Sequence, residues 1–392
     1  MRNRAARERP RICFPLCGDE IGGSHLSVLG LLKRLDRSRF DPVVLVESAE
    51  GRIANLMRGA DVRVEVAAAG AALRHGRSVG LQELARIGRC SGALARQLAR
   101  QGIDLVHLND GRSCATWSLA TKMSGAKLVW HHRGSPNSRG LRLVAPHLAD
   151  AVVSVSRFAL GPAERKLRRA RVVYSPISAQ LSLNRTEARA RLVTELGCPP
   201  ETFIIGFFGV LIPRKRPFAF IDAVAAMQRI EPGTPVVGAL FGEPLEIDES
   251  ALAEHARARG AESAIRLMGF RYPGIDWIAG CDLLMVPAVD EPLGRTLAEA
   301  MLVGTSIVAT RSGGNAEALE EGRFGTLVEP DDAEAMARAA LSLRADSERR
   351  NAAVHAAAIA AHRRFGEQHH ATAIMDLYED VLGTRSGERR WR

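Results

Sequence analysis

Two glutamates, Glu291 and Glu299, are separated by seven residues in the polar stretch VDEPLGRTLAEA (residues 289–300). The apolar run CDLLMVPAV leads into this stretch and the helix-like run LAEAMLVG leads out of it. The pattern predicts a strand, then a loop shaped by Pro292 and Gly294, then a helix. Since the apolar strand and the helix on either side are of the kind that packs into a core, we expect the charged residues between them to form a ligand site.

The start of the predicted helix offers amide groups to an anion, because the positive end of the helix dipole lies there. The amides that would face the anion belong to Leu293, Gly294, Arg295 and Thr296. Glu291 would stand in the loop beside the ligand, and Glu299 about one turn into the helix. For Glu299 the alternative is a capping box, in which Thr296 caps the helix and Glu299 reaches back.

A basic loop, GVLIPRKRP (residues 209–217), leaves another predicted strand and enters a helix with Pro217 near its start. Arg214, Lys215 and Arg216 would then lie at the carboxyl edge of a sheet. A diphosphate bound there would need positive charge and several hydrogen-bond donors. The alternative is a solvated basic loop.

A glycine pair follows the first predicted strand, in CGDEIGGSH (residues 17–25). Gly22 and Gly23 would let the backbone turn tightly and bring amides close to a ligand at a helix N-terminus. The stretch is not the G-x-G-x-x-G fingerprint, so a nicotinamide cofactor is weakly supported. A plain strand-to-helix turn capped by Ser24 is the alternative.

Two more polar stretches, HLNDGR and WHHRGS, follow strands of the first half. The side chains that could line one wall of a ligand cleft are His107, Asp110, Arg112, His131, His132 and Arg133. Adjacent strand residues point to opposite faces, so at most one of His131 and His132 is expected to reach a ligand directly. A single histidine at a strand end is more often a structural residue.

The elements that must position these residues alternate between short apolar runs and longer amphipathic runs in both halves of the chain. This alternation predicts an α/β protein with two Rossmann-like, doubly wound parallel-sheet domains facing a cleft. We expect an N-terminal domain over 1–178, a linker over 179–198 and a C-terminal domain over 199–365. The last segment, 366–392, is expected to be a helix that crosses back to the N-terminal domain.

The composition is that of a globular protein, with 46% hydrophobic and 25% charged residues among 392. The net charge of +10 suggests an anionic partner. Basic residues are spread along the chain, aromatics are only 5%, and no nucleic-acid module appears, so peripheral contact with an anionic membrane is favoured over nucleic acid. No apolar run is long enough for a membrane span or a signal peptide. We expect a cytoplasmic protein, with peripheral contact at the inner face of the membrane and six reduced cysteines.

The combined motifs resemble those of the retaining glycosyltransferases of family 4, which have the GT-B fold. The similarity covers nearly the whole chain, and its specific part is the C-terminal half: the two glutamates at E-x7-E, the following EAMLVGTSIVATRSGG, and the upstream G-x5-K loop. The N-terminal half matches in layout and in its Gly-Gly turn. A member of this family would transfer a sugar from a nucleotide-diphosphate sugar to an acceptor hydroxyl with retained configuration.

The resemblance also implies roles for single residues. Glu291 would contact the transferred sugar, Glu299 the ribose, and Lys215 the diphosphate. The family's companion arginine falls on Val210, and whether Arg214 or Arg295 replaces its charge is open. The remaining correspondences are the amides of Leu293 to Thr296 for sugar and phosphate, Gly22 and Gly23 for the Gly-Gly turn, and His131 or His132 for the active-site histidine of the N-terminal domain.

The implied substrates are a UDP- or GDP-sugar and a glycan, lipid-linked or small-molecule acceptor, as in the synthesis of cell-surface polysaccharides or glycoconjugates. No cofactor is expected, and no metal, because the sequence contains no D-x-D triplet. The alternatives are a sugar-nucleotide epimerase or a phosphorylase on the same fold, a non-catalytic nucleotide-sugar binder, and a basic nucleic-acid-binding protein.

Overall fold

The computed structural model describes residues 9–71, 80–178 and 183–384. The chain divides into two compact units. Unit 1 is the chain up to Pro176 together with the segment from Glu367 onward, and unit 2 is Ile177–Gly366. The last segment of the chain therefore belongs to the same unit as the first.

Unit 1 is built on a sheet of seven parallel strands in the order β3-β2-β1-β4-β5-β6-β7. Its strands are β1 Arg11–Pro15, β2 Asp41–Val46, β3 Arg63–Val66, β4 Leu105–Leu108, β5 Lys127–His132, β6 Ala151–Ser154 and β7 Ala170–Val172.

Unit 2 has a sheet of six parallel strands in the order β10-β9-β8-β11-β12-β13. These strands are β8 Phe203–Phe208, β9 Val236–Phe241, β10 Ile265–Gly269, β11 Leu283–Val286, β12 Ser306–Thr310 and β13 Thr326–Val328.

Helices separate the strands, as parallel pairing requires. In chain order they are α1 Gly23–Arg34, α2 Arg52–Arg58, α3 Leu81–Gln101, α4 Gly111–Ser124, α5 Ala145–Leu148, α6 Arg157–Leu160, α7 Arg185–Leu196, α8 Pro217–Ile230, α9 Glu249–Ala258, α10 Gly274–Gly280, α11 Arg295–Val303, α12 Asn315–Ala318, α13 Ala333–Ala345, α14 Ser347–Phe365 and α15 Glu367–Leu382. Single turns of 3-10 helix lie at Pro213–Lys215, Glu262–Ala264 and Glu320–Gly322, a longer one at Gly161–Lys166, and a π-helical turn at Gly140–Val144.

Both faces of each sheet are buried, which explains why the strands read as continuous apolar runs. In β1, for example, Ile12 and Phe14 pack into the core on one face and Cys13 into the core on the other. The C-terminal helix α15 completes the first of these two cores, where Leu377 and Tyr378 are fully buried. Unit 1 thus depends for its core on a segment from the far end of the sequence.

The strand order reverses at one point in each sheet, between β1 and β4 in unit 1 and between β8 and β11 in unit 2. Connections on the two sides of such a point run to opposite faces, so the loops at the carboxyl ends of the two strands separate and leave a crevice. In unit 2 these two loops are the basic loop after β8 and the polar stretch after β11. The two strongest sequence motifs, the basic loop and the polar stretch with Glu291, therefore lie beside the same crevice of unit 2.

The predicted pair of Rossmann-like parallel-sheet domains is confirmed, with three local differences. The edge strands β3 and β7 were not recognised, because they are short and only partly buried or exposed along their length. Residues 185–196, placed in the linker, form helix α7 of unit 2, whose Leu192 and Leu196 are buried. The linker prediction is wrong there because the apolar face of this helix needs a core to cover it; residues 179–182 of the predicted linker lie outside the described residues.

Candidate functional site

The basic loop after β8 brings Lys215 back over the end of its own strand. The chain makes a turn of 3-10 helix at Pro213–Lys215, and Arg216 takes a left-handed conformation (φ 57°) before Pro217 opens α8. The Lys215 side chain lies across Gly209, where an added Cβ would stand 3.3 Å from Lys215 Cδ. The lysine is therefore held at the carboxyl end of β8.

Glu291 lies in the loop after β11 and is only 8% exposed. The Val289 N–H donates to the Arg214 carbonyl at 3.0 Å, which ties this loop to the basic loop. The Glu291 carbonyl accepts from the Gly314 N–H at 2.7 Å. The backbone on both sides of the glutamate is thus fixed by neighbouring loops.

The Glu291 carboxylate is shared by two cations. Its Oε2 lies 2.8 Å from Lys215 Nζ and also bonds to the Arg214 guanidinium. Three charged side chains from two loops therefore meet at the point where the strand order of unit 2 reverses. Such a group can hold a ligand that carries both anionic oxygens and hydroxyl groups, since the cations favour the former and the carboxylate the latter.

A second glycine pair, Gly313 and Gly314, packs against the backbone of the Glu291 loop. An added Cβ on Gly313 would stand 2.5 Å from the Glu291 nitrogen, and one on Gly314 would stand 2.4 Å from the Pro292 carbonyl oxygen. Only glycine allows so close an approach of two backbones. Sequence reasoning used RSGG only as part of the resemblance and gave these glycines no role. The adjacent glycines two residues after the apolar run SIVAT were the available signal.

Helix α11 starts at Arg295 with Gly294 as its N-cap, and no side chain of residues 9–71, 80–178 or 183–384 caps it. The capping-box alternative for Thr296 and Glu299 is therefore wrong. The Glu299 carboxylate instead lies 3.7 Å from the Arg295 guanidinium. Burial raises the pKa of Glu299 above its ordinary value, although the charges of Arg295 and Lys215 act in the opposite direction.

The two candidates for the family's missing arginine have different partners. Val210 is 41% exposed and brings no charge. Arg214 shares Glu291 with Lys215, whereas Arg295 pairs with Glu299. The second positive charge beside Lys215 at Glu291 thus comes from Arg214.

In unit 1 the predicted cleft residues separate into a buried group and an edge group. His107 is fully buried, and the prediction that it lines a cleft wall is wrong. Helix α15 covers it, so that Tyr378 Oη lies 2.5 Å from His107 Nδ1. His131 is 1% exposed and its ring stacks on that of His107, with centroids 5.4 Å apart. Sequence reasoning could not see this, because the helix that buries both imidazoles is about 250 residues away along the chain.

His132 points away from this group, as the alternation along β5 predicts. Its Nε2 lies 3.0 Å from the Ser135 carbonyl oxygen, and burial lowers its pKa. The structure thus separates the two candidate histidines: His131 belongs to a polar network, while His132 is held by its own loop.

The edge group lies around Arg133, which follows β5. Its guanidinium lies 2.9 Å from Ser175 Oγ, 3.3 Å from Ser27 Oγ and 3.3 Å from His131 Nδ1. Asp110 caps α4 through one oxygen, 2.8 Å from the Ser113 nitrogen, while its buried Oδ2 meets no hydrogen-bond partner within the part of the chain that the structure describes. Arg112 lies over Gly18, since an added Cβ there would stand 2.6 Å from its Nη1.

The Gly-Gly turn opens α1 in unit 1, and Gly22, not Ser24, is the N-cap. The Gly22 N–H donates to His25 Nδ1 at 3.1 Å. His25 is buried, and none of the described residues offers its Nε2 a hydrogen-bond partner. Sequence reasoning missed His25, although its place three residues after the first glycine of the turn was visible.

Part of unit 2 matches a known family. Residues 202–346 match the family model described as glycosyl transferases group 1. The "D-inositol 3-phosphate glycosyltransferase" of Corynebacterium urealyticum is 32% identical over 193 residues, which cover 47% of this chain and 45% of that protein. The chain thus matches about half the length of this curated relative. Residues 202–346, the segment similar to glycosyl transferases group 1, contain Glu291, Lys215 and Glu299.

Solved structures match over nearly the whole chain. The Anabaena protein HepE, in complex with UDP and glucose, is 23% identical with a TM-score of 0.78, covering 95% of this chain and 100% of that one. A putative UDP-N-acetylglucosamine 2-epimerase from Listeria monocytogenes is 13% identical with a TM-score of 0.66, covering 98% of this chain and 100% of that one. At these identities the likeness shows the fold alone, which is GT-B.

Over the described residues, no helix combines the length and the apolar character needed to cross a bilayer.

Replacing Gly314 by alanine is expected to displace the Glu291 loop, because the new Cβ would collide with the Pro292 carbonyl oxygen. We expect a loss of about 1–3 kcal/mol in the free energy of unfolding, the range for overpacking a filled site. Urea unfolding measures it. Gly233→Ala is the matched control, since its added Cβ would have no described atom within 4 Å. Equal stability of the two variants would contradict the tight approach.

Replacing Glu299 by glutamine is expected to raise stability increasingly with pH. In the unfolded chain this carboxyl ionises near pH 4.3, whereas burial keeps it protonated to higher pH in the folded state. The folded wild type therefore binds more protons in that window and loses stability as pH rises through it. Urea unfolding at a series of pH values should show the variant gaining on wild type above about pH 4. Glu254→Gln, at an exposed position of α9, is the control; a pH-independent difference for Glu299→Gln would contradict the burial effect.

Proposed function

We propose that this protein is a retaining glycosyltransferase that moves a sugar from a nucleotide-diphosphate sugar to an acceptor hydroxyl. The observation that carries the proposal is the Glu291 carboxylate shared by Arg214 and Lys215 at the strand-order reversal of a group 1 glycosyltransferase domain. In open parallel sheets this is where ligands bind. The donor is therefore assigned to unit 2.

The chemistry requires stabilisation of a leaving diphosphate. As the bond between the anomeric carbon and the diphosphate oxygen breaks, negative charge grows on the diphosphate and positive charge on the sugar ring. Lys215 and Arg214 supply cations fixed in place, and the start of α11 supplies backbone amides. Glu291 supplies hydrogen-bond acceptors to sugar hydroxyl groups. We assign no protein nucleophile.

Glu291 affects how strongly Lys215 and Arg214 bind the donor. Glu291 pairs with Lys215 and Arg214, so an incoming diphosphate competes with this carboxylate for the same two cations. Binding of the donor then shifts the cations towards phosphate and leaves Glu291 for the sugar. Glu299, further along α11 beside Arg295, is proposed to bind the ribose.

The substrates follow from the relatives and from the sequence. HepE is named as binding UDP and glucose, and the Corynebacterium relative is named for D-inositol 3-phosphate. We propose a UDP- or GDP-sugar as donor and a small-molecule, glycan or lipid-linked acceptor on unit 1, in polysaccharide or glycoconjugate synthesis. A cytoplasmic location with peripheral contact to anionic lipid and a metal-independent reaction remain part of the proposal; activity in excess EDTA tests the latter.

A sugar-nucleotide epimerase is the second candidate, because the Listeria neighbour has the same fold. It would use the same donor groups but needs no acceptor. A phosphorylase would respond to inorganic phosphate, and a non-catalytic binder would give no product at all.

The decisive experiment incubates the protein with UDP- and GDP-sugars, with and without acceptors such as D-inositol 3-phosphate. Mass spectrometry identifies the product and NMR its anomeric configuration. A glycosylated acceptor with retained configuration supports the proposal. An epimerised nucleotide sugar without acceptor, or an inverted product, overturns it. A thermal-shift panel selects the nucleotide first, since a ligand at a hundred times its Kd adds about 2.7 kcal/mol to the free energy of unfolding.

Lys215→Ala and Glu291→Gln are expected to separate binding from transfer. Losing the lysine removes a charge-assisted hydrogen bond of about 1.5–3 kcal/mol, which weakens nucleoside-diphosphate binding about 10- to 100-fold. Glu291→Gln releases both cations, so diphosphate affinity is retained or increased while sugar transfer is lost. Calorimetric titration with UDP and GDP, beside transfer assays, measures both.

The matched control is Lys166→Ala, which removes a lysine exposed on unit 1. It should leave nucleotide affinity and transfer unchanged. Full transfer by Glu291→Gln, or unchanged diphosphate affinity in Lys215→Ala, would show that these residues do not have the proposed roles.

A further inference from the structure

A chain of hydrogen-bonding side chains runs through the core of unit 1 from α15 to β5. Tyr378 Oη lies 2.5 Å from His107 Nδ1, and His107 Nε2 lies 3.2 Å from His131 Nδ1. A fourth group, the Arg133 guanidinium, lies 3.3 Å from the same His131 Nδ1. Tyr378 and His107 are fully buried, and His131 nearly so.

The positions of the protons follow from which groups can donate. A guanidinium has donors only, so His131 Nδ1 must accept from Arg133 and cannot carry a proton. His107 Nε2 faces the same lone pair and must therefore donate. His107 Nδ1 is then an acceptor, which the Tyr378 hydroxyl can satisfy by donating. The chain has one direction, from the hydroxyl through His107 to His131.

Both imidazoles are neutral at ordinary pH. Burial, reinforced by the charge of Arg133, holds the pKa of His107 and of His131 well below the usual range for histidine. Burial also raises the pKa of Tyr378, which keeps its hydroxyl protonated as a donor. A neutral His131 without a proton on Nδ1 carries it on Nε2.

That Nε2–H group is the end of the chain and is left without a partner. It is buried, and no hydrogen-bond partner for it exists among the described residues. An unsatisfied buried donor costs about 1–3 kcal/mol, so such groups are rare unless a ligand or a functional role accounts for them. Core packing alone would account for the stacking of the His131 ring on those of His107 and His370, with centroids 5.4 Å and 6.0 Å away. It does not account for three hydrogen-bond donors in series, of which the last, His131 Nε2–H, meets no partner among the described residues.

We propose that Tyr378 and His107 are positioning residues, which hold His131 as the neutral Nε2–H tautomer so that it presents one hydrogen-bond donor to a ligand oxygen. That the ligand is a substrate of sugar transfer rests on the proposed function; the tautomer does not. The C-terminal helix, far from the site in sequence, thereby sets the chemistry of a residue on β5. Arg133 is the second donor that holds His131 Nδ1 in the accepting state.

The test is nitrogen NMR of the full-length protein labelled with 15N-histidine, with His131→Gln used to assign the His131 signals. In wild type at neutral pH, His131 and His107 should each show a protonated Nε2 and an unprotonated Nδ1. Tyr378→Phe keeps the ring and removes the hydroxyl. His107 should then populate its other tautomer, and the His131 signals should shift because their donor is lost part of the time.

Phe40→Leu is the control, since Phe40 packs edge-on against the Tyr378 ring with centroids 5.6 Å apart. It disturbs the same core but leaves the hydroxyl in place, so it should lower stability without changing either tautomer. A wild-type His131 that carries its proton on Nδ1 or on both nitrogens overturns the proposal. Unchanged nitrogen signals in Tyr378→Phe, or the same changes in Phe40→Leu, overturn it as well.

Transfer assays add a second readout. Tyr378→Phe should reduce sugar transfer about 10- to 100-fold, the loss seen when a hydrogen-bond partner of a metal-bound histidine is removed, while nucleoside-diphosphate affinity, assigned to unit 2, stays unchanged. A normal transfer rate in Tyr378→Phe would overturn the positioning role. If wild type transfers no sugar although its nitrogen signals show the expected tautomers, the proposed function fails and the relay stands.

Discussion

The reversal of strand order between β8 and β11 is the constraint on which the candidate site of unit 2 depends. All six strands are parallel, so every strand delivers its following loop to the same edge of the sheet. Only at the reversal do two neighbouring loops diverge and leave room for a ligand. The basic loop with Lys215 comes from one side of this point and the loop with Glu291 from the other. The strand order brings these two loops together, and the charged residues in them then form the ion pairs.

Holding three charges there requires a rigid frame, because a carboxylate that is 8% exposed is stable only when it is paired and fixed. The frame consists of close contacts: Gly209 lies beside the Lys215 side chain, and Gly313 and Gly314 lie against the backbone of the Glu291 loop. Gly313 and Gly314 let two backbones approach more closely than a Cβ at either position would allow. In unit 1, the buried polar side chains of Tyr378, His107 and His131 are stabilised in a different way, by a chain of hydrogen bonds that joins them.

Much of the fold was predictable because the central strands are buried on both faces and read as unbroken apolar runs. The edge strands β3 and β7 were not predictable, because they are short and partly exposed to solvent. Helix α7 was not predicted, because its segment is rich in charged residues and is followed by prolines. In the site, Glu291, Lys215 and Arg214 were found from their motifs and their place after strands. His107 was assigned to a surface because a residue after an apolar run at a strand end has the same local pattern whether or not a distant helix covers it.

The sequence by itself determined the elements and their chemistry: apolar runs that must be strands, glycines that must be turns, and acids and cations at the carboxyl ends of strands. Those properties are local, since they depend on side-chain type and on periodicity over a few residues. The tertiary structure decided the pairings: that Arg214 joins Lys215 at Glu291, that Glu299 pairs with Arg295 and does not cap its helix, and that α15 buries His107 and sets the proton of His131. Each of these depends on groups brought together from distant parts of the chain or on the helix start that the fold selects, and burial in that environment determines which protonation state is stable.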